Sequence, residues 1–261
     1  MIEFFFDCSS PWTYLAFHNI QPLAKELDVE ITWRPILVGG IFNTINPTVY
    51  ASRETPVPQK ARYLKKDLAD WARSTGLAIK MPPTVFPVNS VKAMRGCIWL
   101  GNDMAPFARA IFEAYWGDDQ DISQDAVLAQ VCQRVGIEPA QFFAGIGEQA
   151  IKDQLRANTD EVVARGGFGS PTIFVDKTDM YFGNDRMPLI REALGPAAEQ
   201  ALAETGLDWA ALRPVLVYGP GLKGNMAELM RLARMPYPLP LGGLRARRSL
   251  VSVEGHASAV A

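Results

Sequence analysis

Residues 7–14 read D-C-S-S-P-W-T-Y, and they carry the most promising chemistry in the chain. Ser10 followed by Pro11 is the pair that the first turn of a helix favours. The serine oxygen accepts from an unpaired backbone N–H, and the proline has no N–H to satisfy there. The same N–H groups, together with the helix dipole, make the position a site for an anion such as a thiolate. A second pair, Ser170-Pro171, stands in G-G-F-G-S-P (166–171) ahead of an apolar run, and F-G-N-D-R (182–186) closes the run after it. A proline opening a strand after such a turn is a candidate cis bond. It would turn the N–H and C=O of Ser170 outward, ready to pair with an extended peptide.

Cysteine chemistry is not written in the spacing. Cys8, Cys97 and Cys132 are scattered and odd in number, so neither a disulfide framework nor a C-x-x-C redox or metal site is expected. Cys97 and Cys132 fall in helical apolar patterns and read as core thiols, and Cys8 at a strand end reads as packing. His18 and His256 have no evident partner, and no metal site is expected.

The elements that must position these residues follow from apolar periodicity. Residues 2–6 (I-E-F-F-F) suit a strand covered on both faces, a helix runs on from Pro11, and 30–35 (E-I-T-W-R-P) is a second strand, which gives a βαβ start. The glycine- and proline-bearing stretch from Gly39 to Pro58 reads as an irregular connection. Helical patterns then fit 60–75, 90–99, 106–116, 124–135 and 139–165, the last broken near Gly145 and Gly147. T-I-F-V (172–175) and M-Y-F (180–182) form two strands joined by D-K-T-D, and a closing helix covers 185–194. The expected architecture is a small α/β domain split by an all-helical insertion at about 55–165.

With 261 residues, a hydrophobic share of 48% and a net charge of −2, the chain offers no basic footprint for nucleic acid. No window reaches the ~20 apolar residues of a membrane span, and Glu3 and Asp7 stand where a signal segment would be basic. A cytoplasmic address is expected. A boundary is read near 195, because the remainder is rich in glycine and proline and carries a net +2, against −4 for the first 194 residues.

Together F-F-F-D-C-S-S-P-W-T-Y-L-A, L-V-G-G-I-F-N, P-Q-K-A-R-Y-L-K-K-D-L-A-D-W-A, F-P-V-N, G-S-P-T-I-F-V and F-G-N-D-R resemble the 2-hydroxychromene-2-carboxylate isomerases. These are relatives of the kappa-class glutathione transferases in the DsbA-like branch of thioredoxin folds. The resemblance covers residues 1–194 and implies glutathione as cofactor, a small aromatic carboxylate as substrate and a homodimer. S-P-W-T replaces the C-x-x-C of the branch's disulfide oxidoreductases. Ser10 is implied to donate to the glutathione sulfur, Ser170 to meet the tripeptide through its backbone, and Phe182, Gly183, Asn184 and Asp185 to hold its γ-glutamyl end. Asn46 matches an asparagine at the cleft edge. Asn43 stands where many members have a lysine near the substrate carboxylate; Lys60 is a candidate for that charge, and Trp12, Phe86 and Trp116 are candidate walls for an aromatic ring. A kappa-like transferase and an inactive glutathione- or peptide-binding module are the alternatives. Within the segment 195–261, residues 206–253 resemble an interior fragment of an NAD-dependent epimerase/dehydratase. Without G-x-x-G-x-x-G or Y-x-x-x-K, that fragment is expected to be non-catalytic.

Overall fold

A computed structural model describes residues 1–195; the epimerase-like segment and His256 lie outside the described residues. Strand β1 (Ile2–Phe6), helix α1 (Pro11–Glu26) and the parallel strand β2 (Ile31–Pro35) form the first half. Consecutive phenylalanines point to alternate faces of β1. Phe4 and Phe6 meet Phe17 of α1 and Trp33 of β2, while Phe5 turns the other way onto Phe174. Both faces are therefore covered, as the apolar run requires. Strands β3 (Thr172–Val175) and β4 (Asp179–Phe182) complete a sheet of order β2-β1-β3-β4, with β3 antiparallel to both of its neighbours.

The stretch expected to be irregular instead forms two short helices, α2 (Val38–Thr44) and α3 (Thr48–Glu54). At seven residues each, they are too short to display a period, and the first N–H of α2 is bound by Asp7 Oδ2 at 2.8 Å. That cap comes from a distant segment, which no local pattern reveals.

The insertion consists of α4 (Pro58–Thr75), α5 (Val91–Leu100), α6 (Met104–Phe112), α7 (Asp125–Arg134), α8 (Pro139–Gly145) and α9 (Gln149–Ala164). The expected helix at 106–116 leaves α geometry at Phe112 and continues as a π-helical turn, Glu113–Gly117. Helix α9 lies against the sheet face that carries Phe5, where Val162 joins Ile36, Ile41 and Phe174. Just beyond it Arg165 pairs with Glu3 at 2.6 Å and stands 3.8 Å over the Phe174 ring. A 3-10 turn, Asn184–Arg186, then leads into α10 (Met187–Leu194), so the closing helix starts two residues later than its expected first residue, Asp185.

Candidate active site

The turn from β1 into α1 presents a half-buried hydroxyl at a helix N-terminus. Ser10 is extended (φ −113°, ψ 125°), its Oγ accepts the Thr13 N–H at 3.3 Å, and Pro11 opens the helix. The first turn of α1 itself carries no acidic residue, and the acid just ahead of it, Asp7, is buried and bound to the Ser9 N–H, so the positive partial charge of the helix end can still favour an anion. Ser10 Oγ also donates to the Ser170 carbonyl at 3.4 Å. That bond is long for O–H···O, which leaves its proton open to a stronger acceptor.

The Ser170-Pro171 bond is cis. Ser170 Oγ accepts the Asp7 N–H at 2.9 Å and lies 2.7 Å from Thr13 Oγ1. The two S-P turns, 160 residues apart in the chain, are thereby joined through three hydroxyls. Thr13 occupies the last position of S-P-W-T, and its link to Ser170 was not visible in the sequence.

Asp7 is the second group that the sequence concealed. It is buried, with Oδ1 accepting from Ser9 N–H at 2.9 Å and Oδ2 from Val38 N–H at 2.8 Å. Burial pushes its pKa up, and the hydrogen bonds from Ser9, Val38 and Ser90 pull it partly back. One carboxylate thus ties the Ser10 turn to the start of α2. The only signal in the sequence was an acid at the end of an apolar strand.

The thiols lie outside this chemistry. All three cysteines are free and buried. Burial, followed by the neighbouring Cys97 and the Asp7 charge, raises the Cys8 pKa well above that of an ordinary thiol, so Cys8 stays protonated. His18 is held below its usual pKa by burial and then by Arg109, and it is accordingly neutral near pH 7.

Around the hydroxyl cluster the loop G-G-F-G-S-P meets two other predicted segments. Asn46 Nδ2 donates to the Phe168 carbonyl at 3.2 Å, and the Phe182 ring stands 4.4 Å from that of Phe168. A side chain at Gly169 would come within 2.9 Å of the Phe182 ring, so this approach needs glycine. Gly183 takes φ +102° and leads into an exposed Asp185, whose carboxylate lies 3.5 Å from Arg186. Ser10, Ser170, Asn46 and Phe182 are thus linked, directly or through Phe168, in one neighbourhood.

Other candidates fall elsewhere. Trp116 requires correction: its ring is fully buried and its indole N–H donates to the Cys8 carbonyl at 2.9 Å, so it is a core residue with no surface to offer a substrate. The Asn184 side chain is also internal, 3% exposed, with its Oδ1 accepting from Asn19 of α1 at 2.8 Å. Through that bond it braces the loop against α1, while its Nδ2 is buried with no hydrogen-bond partner among the described residues. Asn43 is exposed and accepts from Tyr50 Oη at 2.9 Å. Lys60 is exposed in the first turn of α4, and Trp12 and Phe86 are half-buried.

A βαβ–ββα sheet interrupted by helices, with a polar group at the α1 N-terminus facing a cis-proline turn, defines the thioredoxin class of fold. The family described as DSBA-like thioredoxin domain matches residues 1–195, and the chain belongs to it. The 2-hydroxychromene-2-carboxylate isomerase of Pseudomonas putida is 28% identical over 204 residues, covering 77% of this chain and 97% of that protein. Glutathione S-transferase kappa 1 of Rattus norvegicus is 26% identical, covering 75% and 91% respectively. A solved structure of a 2-hydroxychromene-2-carboxylate isomerase superposes with a TM-score of 0.66 at 25% identity, covering 78% of this chain and 98% of that one. Separately, 51 residues, 19% of the chain, are 45% identical to UDP-glucose 4-epimerase of Vibrio cholerae, of which they span 16%.

Proposed function

We propose that the protein is a glutathione-dependent cis-trans isomerase of the 2-hydroxychromene-2-carboxylate type, acting on an intermediate of aromatic degradation. The observation that carries the reading is Ser10. Its hydroxyl is half-buried at the α1 N-terminus, caps the Thr13 N–H and donates its proton only in a long bond to Ser170, and every cysteine of the chain is buried. A helix end of this kind favours an anion, and a hydroxyl that can redirect its proton suits a sulfur that arrives with a ligand.

The residues present fit glutathione. The Ser170 backbone, Asn46, Phe182 and Gly183 line the loop beside Ser10, and the exposed Asp185 carboxylate suits the ammonium of a γ-glutamyl group. When bound, glutathione supplies a nucleophilic sulfur that adds reversibly to a conjugated double bond and is regenerated once the bond has rotated. The chain's own part is to orient that sulfur, to favour its anionic form through Ser10 and the helix end, and to hold the aromatic carboxylate. Asn43, Lys60 and Phe86 are the remaining candidates for that last role. The reading assigns the protein to the cytoplasm and makes it a homodimer.

Similarity to kappa-class transferases favours one second reading, a transferase that consumes glutathione. Turnover of 2-hydroxychromene-2-carboxylate with a stoichiometric glutathione assay separates the two. Isomerisation that requires glutathione yet leaves its concentration unchanged is expected. Progressive loss of free thiol supports the transferase, and a rate indifferent to glutathione removes both.

A further inference from the structure

Among α2, α5 and α9 lies a cleft of about 700 Å3, a volume within the range of small-molecule sites. Gly40 and Thr44 of α2 line it. Phe42, half a turn round the same helix, approaches Gly169 instead, where a Cβ would lie 3.9 Å from its ring. Helix α2 therefore separates this cleft from the Ser10 site.

The apolar lining is supplied by Leu37, Leu155 and Val163. Arg95 of α5 enters the wall with its Nε buried and without a hydrogen-bond partner. Lys152 and Arg156, one turn apart on α9, line the same space. Among the described residues, none of these three cations lies within ion-pairing distance of a carboxylate. A buried guanidinium N–H without an acceptor is uncommon because it forfeits its hydration for nothing in return. The terminal N–H groups of the same guanidinium are not sealed from solvent and have no hydrogen-bond partner among the described residues, so an incoming carboxylate would meet them in charge-assisted bonds.

Asp153 and Asp160 also line the cleft, Asp153 accepting from Gln149. They offset two of the three positive charges, so the surroundings suit one negative charge better than a polyanion. We propose that this cleft binds an organic monocarboxylate with a compact apolar body. The carboxylate meets Arg95, and the body lies against Leu37, Leu155 and Val163. Recognition is by one charge plus apolar burial, at a site distinct from that of glutathione.

Calorimetric titration of the full chain with octanoate, octan-1-ol and inorganic phosphate tests this, each with and without saturating reduced glutathione. One octanoate per chain is expected, bound at least about tenfold more tightly than octanol or phosphate and unaffected by glutathione. Arg95→Met should weaken octanoate by about tenfold or more, with Arg95→Lys falling between it and wild type. If Arg95→Met does not fold, Lys152→Gln/Arg156→Gln on α9 takes its place, with about threefold weakening expected from lost long-range attraction. Absence of octanoate binding, equal binding of octanol or phosphate, displacement by glutathione, or affinity unchanged in the variants would overturn the proposal. The glutathione reading stands or falls separately, since octanoate binding requires neither Ser10 nor the tripeptide.

Discussion

At the scale of single residues, Ser10 has two duties that a substitution separates. As a helix cap it satisfies the Thr13 N–H, so Ser10→Ala should lower unfolding stability by about 1 kcal/mol, readable from denaturant midpoints. As the proposed partner of a sulfur it should also affect turnover, with kcat/KM falling about tenfold or more, a larger loss than a fully folded, merely uncapped enzyme would show. Asp7 makes a different prediction. Burial raises its pKa, so the folded protein takes up that proton more readily than the unfolded chain. The stability this contributes is complete below the ordinary carboxylate pKa and is lost as pH rises through the raised folded value. Asp7→Asn has no such titration. The difference in Tm should therefore shift in favour of the wild type as pH is lowered from about 7 towards about 4; a difference constant over that range would contradict the assignment. Ser10 was legible as a cap because capping is local. Asp7 and Thr13 were not read as site residues, because their partners Val38 and Ser170 come from other elements.

At the scale of elements, the strands and long helices were legible in the sequence because each shows enough residues for its period to appear. Helices α2 and α3 were hidden by glycine and proline punctuation and, for α2, by a cap donated from Asp7. The π-helical turn was hidden too: Glu113–Gly117 continues the apolar pattern of α6 while changing its hydrogen bonding. In that turn Trp116 moves into the core to bond Cys8, and a candidate wall of the site becomes packing. The helical insertion also depends on close contact at Gly96 of α5, where an added Cβ would fall 2.5 Å from Phe142 and 2.9 Å from Phe107. Both rings are buried and cannot swing into solvent. Gly96→Ala should accordingly destabilise the protein by about 1–3 kcal/mol through overpacking, despite the better helix propensity of alanine. A stability equal to or above wild type would show that these rings repack freely.

At the scale of the whole molecule, the family match spans residues 1–195 and the proposed chemistry lies wholly within them. We propose that residues 195–261 form a separate, non-catalytic segment, so a chain ending at residue 195 should retain the kcat/KM of the full protein within about twofold. Loss of turnover in a truncated chain that still gives a cooperative unfolding transition would contradict that division. The substrate class rests on relatives; the site itself points to a bound anion beside Ser10. The most direct measurement is a pH titration of thiolate ultraviolet absorbance for reduced glutathione bound to the full-length protein. The predicted result is a bound-thiol pKa at least about one unit below the free-thiol value of about 8.5, rising towards that value in Ser10→Ala. A bound pKa equal to that of free glutathione, or one that Ser10→Ala leaves unchanged, would contradict the account.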